Sequence, residues 1–150
     1  MKNIQSALEA ITVENGYANT LNAVERLLQS GQSSRPPMAI VIEGDDRPID
    51  VTQQDSGEIA TERTFEVGVG ITAQQDEEVD ARSASEVMNS LIADVQRAMA
   101  ADVQFGTHAI NSREIGIGAI EAQEGQPVLR CGIAYEIRYR HLRTDSTVEV

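Results

Sequence analysis

The chain predicts an α+β domain: a mostly antiparallel sheet of about four to five strands, covered by one long helix plus a short N-terminal helix. Three stretches carry that expectation. In residues 128–140, Leu129, Cys131, Ile133, Tyr135, Ile137 and Tyr139 take every second place, with Arg130, Gly132, Ala134, Glu136, Arg138 and Arg140 between them. A strand turns successive side chains to opposite faces, so this register gives one apolar face and one small or charged face. Residues 61–73 repeat the pattern, with Phe65, Val67, Val69 and Ile71 on one face and Gly68 and Gly70 on the other. Ala84, Val87, Met88, Leu91, Ile92, Val95, Ala98 and Met99 then form a stripe at helical spacing within residues 80–101. That helix is the natural cover for the apolar face.

The other elements follow in order. Ile4, Ala7, Leu8 and Ile11 predict an amphipathic helix over residues 2–12, ended by the turn pair Asn15-Gly16. Between 17 and 28 the signal fits either a helix or a strand, because Leu21, Val24, Leu27 and Leu28 satisfy both. A polar connector over 30–37 ends in Pro36-Pro37, which forces an extended entry. Met38-Ala39-Ile40-Val41-Ile42 then reads as a strand buried on both faces. The acidic stretch at about 44–60 has only Ile49 and Val51 to pack, and predicts a long loop or hairpin tip projecting from the body. Residues 109–121 give another strand, whose Ile110, Ile115, Ile117 and Ile120 require a bulge or register change near Ser112. With the turn Glu124-Gly125-Gln126-Pro127 it forms a long antiparallel hairpin with the final strand. One domain over 1–143 and a mobile tail over 144–150 complete the reading.

Composition bounds the function. At 150 residues the chain has the size of one domain and can bury about 68–70% of its unfolded surface. Three Tyr, two Phe and no Trp leave no aromatic platform for nucleic-acid bases. A net charge of −12 repels phosphate backbones, although the same charge would suit a channel that lets DNA slide past without sticking. Basic residues gather near the carboxyl end as Arg130, Arg138, Arg140, His141 and Arg143. Acids dominate 43–80, among them Asp45, Asp46, Asp50, Asp55 and Glu58. Opposite charge at the two ends of a chain suits head-to-tail association of copies, so these ten residues are the expected subunit interface. No apolar run reaches 18 residues and the start lacks a signal-peptide core, so the expected location is a cytoplasm or an assembly built there.

Catalytic and metal chemistry find little footing. Two histidines, His108 and His141, and one cysteine do not make a Cys/His metal site. Cys131 falls on the apolar parity and reads as a core residue. Asp45, Asp46 and Asp50 lack the spacing and terminal Glu of a calcium loop, so a solvated acidic segment is the better reading. Gly68-Val69-Gly70 and Gly116-Ile117-Gly118 sit inside strands rather than at strand-to-helix turns. No enzyme, cofactor or metal is expected.

The order of elements nevertheless resembles a known family. A short helix precedes Asn15-Gly16-Tyr17. Residues Pro36-Pro37-Met38-Ala39-Ile40-Val41-Ile42-Glu43-Gly44 lead to an acidic stretch and then Arg63-Thr64-Phe65-Glu66-Val67-Gly68-Val69. A helix carrying Leu91-Ile92-Ala93-Asp94-Val95 follows, and the closing strand is Ala134-Tyr135-Glu136-Ile137-Arg138-Tyr139-Arg140. This resembles the tail terminator (tail-completion) proteins of tailed bacteriophages, over roughly residues 1–143. The resemblance implies a virion protein, assembled in the host bacterial cytoplasm, that forms a ring, typically a hexamer. The ring would stop polymerisation of the tail tube protein at its head-proximal end and offer a surface to the head-neck connector protein. DNA would pass through it without specific binding, and no membrane would be involved. Another ring at the head–tail junction, such as a neck or tube protein, is the near alternative. A small-ligand or cation-binding module using residues 44–58 is the distant one.

Overall fold

The computed structural model describes residues 2–26, 35–53, 59–74, 82–105, 109–122 and 127–142. Helix α1 (Lys2–Glu9) and a 3-10 turn (Val13–Asn15) lead into strand β1 (Ala23–Arg26). Strands β2 (Met38–Gln53) and β3 (Ile59–Gln74) precede helix α2 (Ala84–Ala101). Strands β4 (Asn111–Ile117), β5 (Glu121–Ala122) and β6 (Val128–Leu142) complete the chain. The fold is α+β, with a sheet ordered β1-β2-β3-β6-β4 and β5 also paired to β6.

The sheet is mixed and six-stranded, which corrects the expectation of a mostly antiparallel sheet with four to five strands. The added parallel member is β1, from the stretch whose periodicity was ambiguous; it pairs Ala23↔Met38 through Arg26↔Val41. The Asn22 N–H donates to the Pro37 carbonyl at 2.8 Å and pins this segment beside the start of β2. The second added strand, β5, continues the β4 lane along β6 after residues 118–120.

The core is the face shared by β3 and β6. Register partners Val67↔Tyr135, Val69↔Ile133 and Ile71↔Cys131 sit side by side, and all six residues are buried. Val87, Met88, Leu91, Val95, Ala98 and Met99 of α2 close over them, with Ile4, Leu8 and Ile11 from the N-terminal segment. Cys131 is a core residue, as its parity predicted. Helix α2 begins at Ala84, with Ser83 as its N-cap, rather than near residue 80. The Ser83 side chain accepts from the Glu86 N–H while the Glu86 carboxylate accepts from the Ser83 N–H, a capping box that satisfies two otherwise orphaned donors.

Three further expectations are answered. Of the loop and the hairpin that the acidic stretch allowed, the structure has a hairpin: β2 continues to Gln53 and β3 starts at Ile59. Asp45, Asp46 and Asp50 thus lie on the distal half of β2, an outer arm beside β3, which itself pairs with β6 from Ala60 to Gln74. Residues 54–58 lie outside the described residues, as do the turn at 123–126, His108 and the tail at 144–150. The bulge of β4 falls at Ile115, between Glu114 and Gly116, instead of near Ser112. Its isoleucines do not join the core, since Ile110, Ile115, Ile117 and Ile120 are 40–48% exposed. Finally, Asp94 stands outside the apolar stripe of α2, where an acid is expected to face solvent, yet it is 5% exposed.

Asp94 explains how the N-terminal third is attached. Its carboxylate accepts from the backbone N–H of Ala18 at 3.1 Å, the backbone N–H of Asn19 at 2.9 Å and the Asn19 side-chain amide at 2.7 Å. Arg82 donates to the Asn19 amide oxygen at 3.0 Å and to the Ser90 hydroxyl at 3.0 Å. Arg97 stacks over Tyr17, 4.6 Å from the ring centroid, and donates to the Gly16 carbonyl at 2.8 Å. Gly16 ends the 3-10 turn with φ +80°, a conformation a side chain would strain. Removing the carboxylate strands three donors in a buried place, which is costlier than losing an ordinary hydrogen bond. We therefore expect Asp94→Ala to lower the unfolding free energy by about 3 kcal/mol in urea titration, with Asp94→Asn costing less because one acceptor oxygen remains.

Candidate functional site

Helices cover one face of the sheet, and the opposite face is the candidate site. Register partners divide it into two halves. In the first, Ile40 stands beside Gly70 and Ile42 beside Gly68 on β2 and β3; Gly132 and Ala134 continue the rows on β6, and Gly116 extends the second onto β4. Ile42 is 39% exposed. A Cβ built on Gly132 or Gly116 would meet nothing within 4 Å, so packing inside the chain does not explain the absence of side chains there. This half is a smooth pavement of backbone and small groups.

The second half is charged and internally paired. Arg47 meets Glu66 at 3.0 Å, Arg113 meets Glu136 at 2.9 Å, and Arg138 pairs with Glu62. Arg47, Arg113, Arg138, Glu136 and the buried Thr64 line an open depression of about 440 Å³. Such partly exposed pairs each contribute little to stability, so their effect is to set where charge sits on the face.

On the helix side of the arm a second network ties β2 to β6. Asp46 accepts from Arg63 Nε at 3.0 Å and from the Tyr139 hydroxyl at 2.8 Å. The bond to Asp46 raises the Arg63 pKa further. Burial, followed by the hydrogen bond to Asp46, raises that of Tyr139. Tyr135 is buried beside Glu114, and burial raises its phenol well above the ordinary value. Its hydroxyl has no partner among the described residues. Burial likewise raises the Cys131 thiol, which keeps it protonated and unreactive.

The expected interface residues scatter over these features. Arg130, Arg138 and Arg140 all lie on the exposed parity of β6, and among the described residues Arg130 and Arg140 make no ion pair. Asp45 is exposed on the arm, while Asp46 is committed to Arg63 and Tyr139. Asp50 is the register partner of Glu62, and His141 of Thr61. Asp55, Glu58 and Arg143 lie outside the described residues. The acidic and basic segments are not at opposite ends of the fold. The arm runs two strands away from β6, so charges distant in sequence are close in space. Sequence reasoning missed Arg47, Arg63 and Arg113; the Arg113↔Glu136 pairing was readable only once the Ile115 bulge fixed the parity of β4. Among the described residues no group of three or more His, Cys, Asp or Glu is placed to hold a metal ion, and no helix is long and apolar enough to cross a membrane.

No protein-family model matches the chain, and no curated protein matches its sequence. The two raised phenols generate a pH dependence. Their stabilisation is complete below the ordinary phenol value of about 10 and is lost as pH rises through the higher folded-state values. Phenolate absorbance from Tyr135 and Tyr139, isolated with single Tyr→Phe variants, should therefore emerge above the free-tyrosine midpoint, as stability in urea begins to fall. Tyr139→Phe should cost about 1 kcal/mol, the worth of its bond to Asp46.

Proposed function

We propose that this chain is a non-enzymatic structural protein of a bacteriophage tail, a tail terminator that closes the head-proximal end of the tail tube as a ring of copies. The observation that supports it most is the one-sided sheet. A domain whose helices cover one face, and whose other face and β4 edge carry uncovered isoleucines and unneeded glycines, has surface to give to neighbours. The resemblance in element order and the net charge of −12, which would keep a DNA passage non-adhesive, support the same reading. The tail tube protein and the head-neck connector protein are the proposed partners, a six-membered ring the proposed form, and the virion tail the proposed location. A neck or tube ring is the nearest competitor. Tube subunits polymerise without limit, whereas a terminator stops at one ring.

Light scattering with negative-stain microscopy tests this directly. A closed ring that caps isolated tail tubes is expected; a strictly monomeric protein that leaves tubes uncapped would sink it. Charge reversal tests the exposed arginines. Arg138 has an in-chain partner in Glu62, so its reversal would also create a repulsive pair; Arg130 and Arg140 are the cleaner probes. Arg130→Glu with Arg140→Glu should weaken self-association at least about tenfold by placing like charges together. Thermal unfolding of the subunit should stay within about 0.5 kcal/mol of the parent, because both residues are exposed.

A further inference from the structure

On the charged half of the uncovered face, one row of the sheet gathers hydrogen-bond donors. Arg47, Thr64, Arg138 and Asn111 stand side by side across β2, β3, β6 and β4, and all four line the open depression. Thr64 is the floor. The register sets Arg47 on one side of it and Arg138 on the other, two strand spacings or about 10 Å apart. Thr64 is 3% exposed, yet its hydroxyl has no hydrogen-bond partner among the described residues. The hydroxyl is not sealed in either, since it opens into the depression. A buried polar group left unpaired costs stability, and a ligand that completes it recovers that cost.

The ion pairs around Thr64 are layered. Glu66 and Glu136 are register partners, a like-charge contact that is unfavourable on its own. Arg47 from β2 and Arg113 from β4 offset it, one from each side. In two of the pairs the acid lies underneath. The side chains of Glu136 and Glu62 are 16% exposed, against 66% for Arg113 and 46% for Arg138. Arg47, 62% exposed beside Glu66 at 37%, leans the same way. Solvent therefore meets guanidinium groups, while the carboxylates that balance them are drawn back. Each guanidinium commits one or two N–H groups to its glutamate and keeps others to donate. The exposed Asn111 amide adds to them, with no side-chain partner among the described residues.

We propose that this depression binds the carboxylate of an acidic peptide segment. A carboxylate accepts and does not donate, so it matches a surplus of donors. Seated over Thr64, it takes the free hydroxyl and N–H groups from the arginines on either side as charge-assisted bonds. Its single charge fits a place with three glutamates close by, where a phosphate dianion would meet more repulsion. The neighbouring surface suits a peptide. Ile42, Gly68, Ala134 and Gly116 form a flat row on which a chain carrying the acid can lie close, and Ile49, 50% exposed, offers apolar contact at the rim. The site does not depend on the ring reading above.

Calorimetric titration of the full chain with a capped tetraglutamate peptide tests it. Binding is expected at low salt and should weaken at least about tenfold on moving from about 20 to about 300 mM salt, as screening requires. Thr64→Val keeps the shape and removes the hydroxyl. It should weaken binding about three- to tenfold while thermal unfolding of the subunit stays unchanged or rises. Arg113→Gln should weaken binding about tenfold. Glu136→Gln separates the charge signs: losing an acid from the depression should tighten binding, whereas weaker binding would overturn the assignment in favour of a cationic partner. Arg130→Gln, on the same face but far along β6, should change nothing; a loss equal to that of Arg113→Gln would mean diffuse attraction and overturn the site. So would the absence of heat with every protein folded. Displacement of the peptide by inorganic phosphate at lower concentration would overturn the choice of carboxylate. Binding by a strictly monomeric protein would uphold the site and overturn the ring reading, and a closed ring indifferent to the peptide would do the reverse.

Discussion

A sheet has two faces, and this chain supplies helices for one. That constraint governs the rest of the structure. Every large apolar residue of β3 and β6 between positions 67–71 and 131–137 must share a parity, because a slip of one residue would turn the whole set away from α2. What remains for the other parity is glycine, alanine, threonine and charge. The sequence alternates so strictly because the two parities face different media.

Polar groups then settle how the layers are held. Burial drives α2 onto the sheet without fixing its ends, and directional bonds supply that. Ser83 and Glu86 define where the helix starts, and Asp94 gathers the 18–19 backbone against its middle. The Asp46, Arg63 and Tyr139 network performs a similar task where α2 no longer reaches. It stitches the base of the arm to β6 across an intervening strand. Asp94 and Asp46 are thus both acids spent on internal order in a chain whose charge otherwise faces outward.

Much of this was legible in the sequence. The parity of β3 and β6 and the stripe of α2 follow from periodicity, because each element has one wet and one dry side. The capping box at Ser83-Ala84-Ser85-Glu86 was equally readable, although the acids upstream obscured it. Other features depend on partners that periodicity does not reveal. Ala23–Arg26 is too short to show a period, and only its hydrogen bonds beside Pro37 decide that it is a strand. Asp94 looks like a surface acid on a helical wheel until residues 18 and 19 fold over it. The isoleucines of β4 look like core residues and prove exposed, since β4 is the edge strand and the side chain that α2 extends to it is the polar Gln96, which donates to Glu114. Charge was the most misleading signal, because separation along the chain concealed adjacency in the sheet.

The bonds of Asp94 span 75 and 76 residues of chain, and the central β3–β6 pairing is similarly distant in sequence. Local contacts therefore contribute little to the centre of the fold. The β2–β3 and β4–β6 hairpins can each organise from neighbours alone, but the β3–β6 pairing that joins them closes over a long stretch of chain. High contact order of this kind slows folding. During synthesis, the first half of the domain would have an unpaired sheet edge until residues 128–142 emerged. A cell making many copies would then meet a crowd of half-sheets with the same exposed edges, and the order of events would matter: closing each subunit on its own β6 must outrun pairing with a stranger's strand.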